Sequence, residues 1–372
     1  MRPLRILHVL GSMNRGGVET WLMHVLRHID RERFQMDFLV HTSQPGAYDA
    51  EIQALGARIL HCPATRRPVQ YAKRFLEITK RFGPFDVLHS HVHNFSGYVV
   101  WLGSVAGIPV RISHSHNDTR IVNAVATPSR AFYLSLTRWF LTKFSTCCLA
   151  ASAPAASALF GPGWKQDHRV KVLYYGVDLA PYHLTVDRAS VRSEFGLHAT
   201  NIVFGHVGRF DPQKNHTFLI DVAAEIARRE TEARFLLVGD GPLRPSIEEQ
   251  AQRAGIASRT VFTGSRPDVP RLMVGAMDRF LFPSLYEGLG LVLTEAQAAS
   301  LPAIISDVIP TEADVIPNLI TRVSLHQPAE TWAEQALRSC EPSAPNVLAQ
   351  IERSPFNITA SVEALTRAYC AQ

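Results

Sequence analysis

The chain has 372 residues, 46% hydrophobic and 19% charged, with a formal net charge of +5. That length exceeds what one hydrophobic core commonly supports, so two domains are expected, and the composition excludes a disordered or fibrous protein. Five cysteines without regular spacing exclude a disulfide framework, and Cys147-Cys148, inside an apolar run, reads as core.

Charge is unevenly divided. Residues 1–180 carry 21 Lys and Arg against 11 Asp and Glu, a balance of +10, whereas residues 181–372 carry 17 against 22, a balance of −5. A basic first half favours an anionic partner such as a phosphate-bearing substrate, a phospholipid surface or nucleic acid. The start, Met1-Arg2-Pro3-Leu4-Arg5, has neither the apolar run nor the small-residue site of a secretory signal. The longest interval without charge, Val87 to Val110, is broken as a membrane span by histidines, glycines and Pro109. A soluble, cytoplasmic protein is expected.

In chain order, Ile6 to Leu10 reads as a buried first strand, and Gly16-Gly17 as a turn into an amphipathic helix over Trp21 to Leu26. A Gly-Gly pair there lets a phosphate approach the backbone and the helix N-terminus. No dinucleotide fingerprint and no Walker loop is present. Further strands are expected at Gln35–Val40, Arg58–His61, Asp86–His91, Val110–Ser113, Thr146–Ala150 and Lys171–Tyr174, with helices at Tyr48–Leu55, Val69–Phe82 and Ser129–Phe144. Leu179 to Thr200 reads as a linker with one short helix. The pattern then restarts with strands at Ile202–Gly208, Arg234–Gly239, Thr260–Phe262, Arg279–Phe282 and Ala303–Ser306, and helices at Phe218–Arg229, Leu243–Ala254, Val269–Gly275, Leu291–Ala299, Ala329–Arg338 and Ser361–Tyr369. Pro342, Pro345 and Pro355 punctuate the last of these. Alternating strands and helices predict α/β architecture, two doubly wound parallel-sheet halves in series, here taken as 1–180 and 181–372 with the terminal helix a candidate to pack back on the first.

Chemistry concentrates at the carboxyl ends of second-half strands. Gly208-Arg209 with Lys214 places two cations beyond the first of them, and Glu287 and Glu295 flank the loop and helix after Phe282. Two cations suit a diphosphate, and ionised carboxylates suit the hydroxyls of a ribose or a sugar. In an open α/β sheet that edge is where ligands bind. In the first half, His89, His91, His114 and His116 fall at strand ends, but without a cysteine or carboxylate cluster to complete a metal site, so none is expected.

The order Gly208-Arg209 with Lys214, Gly239-Asp240-Gly241-Pro242, Phe262-Thr263-Gly264, Pro283-Ser284 and Glu287-x7-Glu295 resembles the retaining glycosyltransferases of family 4. Gly16-Gly17-Val18-Glu19-Thr20 and Arg111-Ile112-Ser113-His114-Ser115-His116-Asn117 resemble its bacterial exopolysaccharide-type subgroup, and the likeness covers about residues 5 to 316. The resemblance implies a GT-B fold, two Rossmann-like domains facing across a cleft, and metal-independent, retaining transfer of a hexose from a nucleotide-diphosphate sugar. The acceptor would be a glycan or lipid-linked, in surface polysaccharide or glycoconjugate assembly. Arg209 and Lys214 would hold the diphosphate, Glu295 the ribose and Glu287 the donor sugar. Gly288, Leu289, Gly290 and Leu291 would line the donor loop, Gly264 and Arg266 would lie by the base, and Gly16 and Gly17 would close over the diphosphate. A histidine at the reacting sugar is assigned to His116 ahead of His114, and Glu287 is the remaining catalytic candidate. No cofactor is expected, and a UDP-sugar is favoured over a GDP-sugar.

Three positions depart from the family pattern: Ser300 for a common glycine, Tyr175 for a frequent asparagine, and Val308-Ile309-Pro310 for a glycine-rich loop after Asp307. The competing functions are a sugar-nucleotide epimerase or phosphorylase and a non-catalytic nucleotide-sugar binder. Nucleic acid is not expected, since no recognised motif interleaves aromatics with the basic clusters. The basic helices Val69–Phe82 and Ser129–Phe144 would instead rest on an anionic membrane, peripherally at the inner face.

Overall fold

The computed structural model describes residues 2–63, 67–120, 127–338 and 346–370, and Pro342 and Pro345 lie outside them. The chain forms two compact units, Met1–Gly176 with Ile358–Gln372, and Val177–Asn357.

In the first unit the strands β1 (Leu4–Leu10), β2 (Phe34–Val40), β3 (Ile59–His61), β4 (Val87–Ser90), β5 (Val110–Ser115), β6 (Cys147–Ala150) and β7 (Val170–Val172) form one parallel sheet in the order β3-β2-β1-β4-β5-β6-β7. These are short apolar runs rich in Ile, Leu and Val because both faces are covered, as a parallel sheet requires. Leu7, Val9, Leu39 and Leu88 pack with Tyr71 and Phe75 into a buried cluster. The helices are α1 (Gly17–His28), α2 (Asp49–Ala54), α3 (Pro68–Phe82), α4 (Ser96–Val105), α5 (Pro128–Phe144) and α6 (Ala153–Phe160). The order reverses between β1 and β4, and their register pairs Ile6 with Val87 and His8 with His89.

The second unit repeats the plan. The strands β8 (Ile202–Val207), β9 (Ala233–Val238), β10 (Thr260–Gly264), β11 (Arg279–Phe282), β12 (Ala303–Ser306) and β13 (Ile320–Val323) run parallel in the order β10-β9-β8-β11-β12-β13. Its helices are α7 (Arg188–Ser193), α8 (His216–Arg229), α9 (Arg244–Arg253), α10 (Val269–Gly275), α11 (Leu291–Ala298), α12 (Ala329–Arg338) and α13 (Val347–Glu352). Here the reversal falls between β8 and β11, so the loops that follow those two strands open beside each other at a topological switch point. One glycine is imposed by packing there: Gly239 has a φ of +140°, and a Cβ on it would stand 1.9 Å from the Gly208 carbonyl oxygen.

The last helix, α14 (Ile358–Cys370), belongs to the first unit. The Trp21 Nε1–H of α1 donates to Ser361 Oγ at 3.1 Å, and Ser361 in turn donates to the Tyr174 carbonyl at 3.0 Å. α14 thereby brings Tyr369, fully buried, against the first sheet.

Five elements differ from the expectations above. β5 runs on to Ser115, so His114 lies inside a strand. α4 was unassigned because its mixture of glycine, serine and bulky apolar residues carries no polar stripe, and it is buried nearly all round. α6 carries no assignment because its Ala- and Ser-rich residues give no polar stripe, α13 because it has only six residues, and β13 because it is a half-buried edge strand whose Thr321 and Arg322 break the apolar run. No helix among the described residues is long and apolar enough to cross a membrane.

Candidate functional site

The loop after β8 is anchored by Phe210, which is fully buried. Its N–H donates to the Asp240 carbonyl at 3.0 Å and its carbonyl accepts from Leu243 N at 3.0 Å. Arg209, one residue earlier, is thereby turned outward and is exposed, and no described residue forms an ion pair with it. After the single turn Pro212–Lys214, Asn215 takes left-handed backbone angles, φ 54° and ψ 44°, and starts α8.

That turn is stitched to the loop after β11. The Leu285 N–H donates to the Gln213 carbonyl at 2.8 Å, Gln213 Nε2 donates to the Tyr286 carbonyl at 3.0 Å and to Glu287 Oε2 at 3.2 Å, and Asn215 Nδ2 donates to the Pro283 carbonyl at 3.2 Å. Lys214 Nζ meets Glu287 Oε1 at 2.6 Å and lies 4.9 Å from the Phe282 ring centre. So the structure joins Lys214 and Glu287, which the sequence reading gave to different parts of one ligand. Gln213 and Asn215 were missed there, although a polar pair beside a lysine at a strand end is a readable sign.

Gly288, Leu289, Gly290 and Leu291 are buried. Gly290, at φ 85°, starts α11 without a side-chain cap, leaving the helix N-terminus to be satisfied from elsewhere. Glu295 sits on the second turn of α11. Burial pushes its carboxyl up to about 7, and no described group hydrogen-bonds it. The Tyr182 hydroxyl is buried without a partner, and its pKa is raised chiefly by burial and then by the Glu295 charge. Gly264 has a φ of +72° and accepts from Gly239 N at 2.9 Å. Arg266 is not an open cation: Asp268 takes its guanidinium in a fork of two 2.8 Å hydrogen bonds.

At the start of α1, Gly16 is extended and Gly17 begins the helix. A Cβ on Gly16 would come within 2.5 Å of Glu19 Oε2. A carboxylate at the third helical position therefore already stands at this N-terminus.

The histidines form a single connected structure. His116 Nδ1 bonds the Tyr175 hydroxyl, and His116 Nε2 bonds His91 Nδ1 at 2.8 Å. His91 Nε2 bonds His8 Nδ1 at 2.9 Å, and His8 Nε2 lies 3.5 Å from the Tyr369 hydroxyl. Tyr369 bonds His89 Nδ1 at 3.0 Å, and His89 Nε2 bonds His114 Nδ1 at 3.1 Å. His114 Nε2 is buried and unpartnered. Burial lowers the pKa of all five rings, to about 3 for His8 and His114 and well below the ordinary range for His89, His91 and His116, so all are neutral. The trios His8, His89, His91 and His91, His114, His116 each bring ring nitrogens within 4.8 Å of one another, close enough to converge on a metal ion. His8 was missed because a lone histidine in an apolar strand reads as core, and Tyr369 because nothing in the sequence ties it to residues 280 positions earlier.

Two family models match the chain: "Glycosyl transferases group 1" over residues 187–342 and "Glycosyl transferase 4-like domain" over residues 16–176. A Bacillus subtilis (strain 168) protein named as a glycosyltransferase, EpsF, is 38% identical over 92% of this chain and 89% of its own length. The UDP-Gal:alpha-D-GlcNAc-diphosphoundecaprenol alpha-1,3-galactosyltransferase of Escherichia coli is 26% identical over 60% of this chain and 58% of its own. Among solved structures, Anabaena HepE in complex with UDP and glucose superposes with a TM-score of 0.80 over 98% of both chains, at 19% identity.

Proposed function

The chain belongs to the family 4 glycosyltransferases of the exopolysaccharide type, with the GT-B fold, and from that premise we propose that it moves a hexose, with retention and without a metal, from a UDP-sugar to a glycan or lipid-linked acceptor. The observation that carries this reading is the junction of the two switch-point loops, where Lys214 and Glu287 meet at 2.6 Å beside the uncommitted Arg209. A diphosphate fits the Arg209 fork and the Lys214 charge, and the uncapped start of α11 adds backbone donors for an anion. Glu287, already holding Lys214 and Gln213, keeps lone pairs for a sugar hydroxyl. Glu295 accepts from the ribose diol, and ligand hydroxyls relieve its burial.

As carbon–oxygen bond breaking proceeds, positive charge grows on the sugar ring and negative charge on the departing phosphate. The fixed cations stabilise the phosphate. A departing phosphate oxygen takes the acceptor hydroxyl's proton as that hydroxyl attacks the same face. Of the two candidate histidines, His116 has both nitrogens bonded, and His114 keeps one nitrogen free but has no exposed surface, so neither ring is preferred for the sugar contact. The UDP preference draws on HepE, which carries UDP and glucose.

A membrane-borne acceptor suits α5. Phe132, Leu136 and Trp139, 71%, 42% and 56% exposed, follow helical spacing on one face, and Arg130, Arg138 and Lys143 accompany them. Exposed aromatics flanked by cations match an anionic bilayer surface.

The test is a screen of nucleotide-sugars by nucleotide release with mass spectrometry of the product. Turnover of a UDP-sugar, lost in Glu287→Ala and weakened through a raised donor KM in Arg209→Ala, is expected. Nucleotide-sugar turnover that yields an isomerised donor and no second product would establish epimerisation instead.

A further inference from the structure

Three histidines at the carboxyl edge of the first sheet bring one nitrogen each toward a common point. His114 and His116 stand two residues apart, so the extended backbone at the end of β5 sends both rings to one face, with ring centres 4.2 Å apart. β4 pairs with β5 through Ser90 and Ser113, which sets the next residue, His91, beside them. His91 Nδ1 and His116 Nε2 are 2.8 Å apart, and the trio brings one nitrogen from each ring within 4.8 Å of the others.

The second nitrogen of each ring is held from behind. His91 Nε2 bonds His8 Nδ1 at 2.9 Å, His114 Nδ1 bonds His89 Nε2 at 3.1 Å, and His116 Nδ1 bonds the Tyr175 hydroxyl. Each of these partners has a lone pair to offer, so the three outward nitrogens can carry the N–H and leave three lone pairs facing inward. An outer hydrogen bond of this kind is what orients a metal-ligating imidazole. His114 supplies an independent sign, for it is fully buried and its Nε2 has no partner. A buried polar atom left without a bond costs stability, and a bond to an ion removes that cost.

We propose that His91 Nδ1, His114 Nε2 and His116 Nε2 hold one divalent transition-metal ion of the zinc class. Three imidazoles without a carboxylate or a thiolate suit Zn2+, Co2+ or Ni2+, whereas Mg2+ and Ca2+ take oxygen ligands. Zn–N bonds of about 2.0–2.1 Å in a tetrahedral site set the ligand nitrogens about 3.4 Å apart. That spacing lies between the 2.8 Å of the His91–His116 pair and the 4.8 Å span of the trio, so the pair exchanges its mutual hydrogen bond for two bonds to the ion as His114 closes in. The fourth position falls to water, and His116, the most exposed of the three rings, marks the side from which ion and water enter. The neighbouring trio His8, His89 and His91 carries less, because every nitrogen in it already has a partner.

Lack of a cysteine or carboxylate cluster argued against a metal in the sequence, but three imidazoles suffice where the fourth position is left to water. The site goes beyond the proposed transfer and the ion is given no part in it, since Arg209 and Lys214 of the second unit meet the charge of the departing phosphate. Its work is to tie the ends of β4 and β5 together.

The test uses the full chain, purified without a histidine tag, stripped with dipicolinate and titrated with Zn2+ and with Co2+. One equivalent of either ion should bind, Co2+ should give the visible absorption of a four-coordinate site, and the melting temperature should rise with Zn2+ but not with Mg2+. His114→Gln should weaken Zn2+ binding by about a hundredfold or more, and Tyr175→Phe, which removes only the outer bond to His116, by roughly tenfold to a hundredfold. Because a buried substitution can cost the fold, the ligands are also read on the native chain from imidazole 15N resonances: Zn2+ should shift those of His91, His114 and His116 together and leave the exposed His28 unmoved. No uptake by the stripped native chain below millimolar Zn2+ overturns the site. So does uptake that His114→Gln leaves unchanged, which would give the ion to His8, His89 and His91, and so do shifts confined to exposed histidines, which would make it an adventitious ion only.

Discussion

Lys214 Nζ and Glu287 Oε1 lie 2.6 Å apart with 16% and 7% of their side chains exposed, so neither charge has much water to fall back on. They face each other at the point where two loops from β8 and β11 meet. Removing only the cation leaves a buried carboxylate with Gln213 as its remaining partner. Lys214→Ala should therefore lower stability by about 3 kcal/mol, the cost of breaking a buried pair on one side. Lys214→Met combined with Glu287→Gln should recover most of that stability in thermal unfolding while transfer stays abolished. If the double variant melts as low as the single one, the loss lies in packing rather than in the orphaned charge.

Arg209 makes the opposite case. It is exposed, and the backbone holding it hangs on Phe210 rather than on its own side chain. Arg209→Ala should leave the melting temperature unchanged and raise the donor KM roughly tenfold to a hundredfold, the value of one charge-assisted hydrogen bond. Arg209→Lys should restore little, because a point charge does not reproduce the guanidinium fork. Titration calorimetry with UDP would show the same order.

Glu295 should couple pH to both folding and binding. Its folded pKa of about 7 lies above the unfolded carboxylate's 4.5, so between those values the folded chain holds more of this proton than the unfolded one. Stability from this group is complete below pH 4.5 and declines as pH rises to about 7, beyond which the loss amounts to about 3 kcal/mol. Glu295→Gln should then melt higher than the native protein at pH 8 and alike near pH 4.5, while binding UDP more weakly. Equal melting shifts at both pH values would mean that the carboxyl is not the titrating group.

The sheet edges and the charged residues at them were legible because strand ends followed by Gly, Pro, Arg or Lys have a direct physical meaning. Val269–Gly275, Arg279–Phe282 and Ala303–Ser306 fall where the residue patterns place them. What periodicity could not supply was partnership. The Arg266 loop is legible, yet its cation is spent on Asp268 two residues away. His116 looks like a free ring at a strand end, yet its nitrogens are taken by Tyr175 and His91. Local sequence shows where a side chain starts, and long-range packing decides what it has left to offer. Tyr175 is the instructive exception, for it replaces a common asparagine and closes one end of the histidine chain.

The α5 face gives a prediction independent of the donor site. Phe132→Ser with Trp139→Ser should abolish flotation with vesicles containing phosphatidylglycerol, and flotation of the native protein should weaken as salt rises. Transfer to a soluble acceptor should be unaffected. Equal flotation with purely zwitterionic vesicles would remove the electrostatic part of the claim.

Ser300 carries the last prediction. It follows α11 with a φ of +57°, and its N–H donates to the Gln297 carbonyl at 2.8 Å. A residue leaving a helix in the left-handed region is most often glycine, since any Cβ crowds the backbone there. The departure from the family's glycine is thus a position where this chain stores strain. Ser300→Gly relieves that strain but gives the unfolded chain more freedom, and the first effect is the larger at positive φ. The substitution should stabilise the protein by about 1 kcal/mol. Because α11 carries Glu295, the same change should leave the donor KM unaltered if the helix is already in place. A donor KM that moves with Ser300→Gly would mean that the strain is transmitted to Glu295, making this turn part of how the donor site is set.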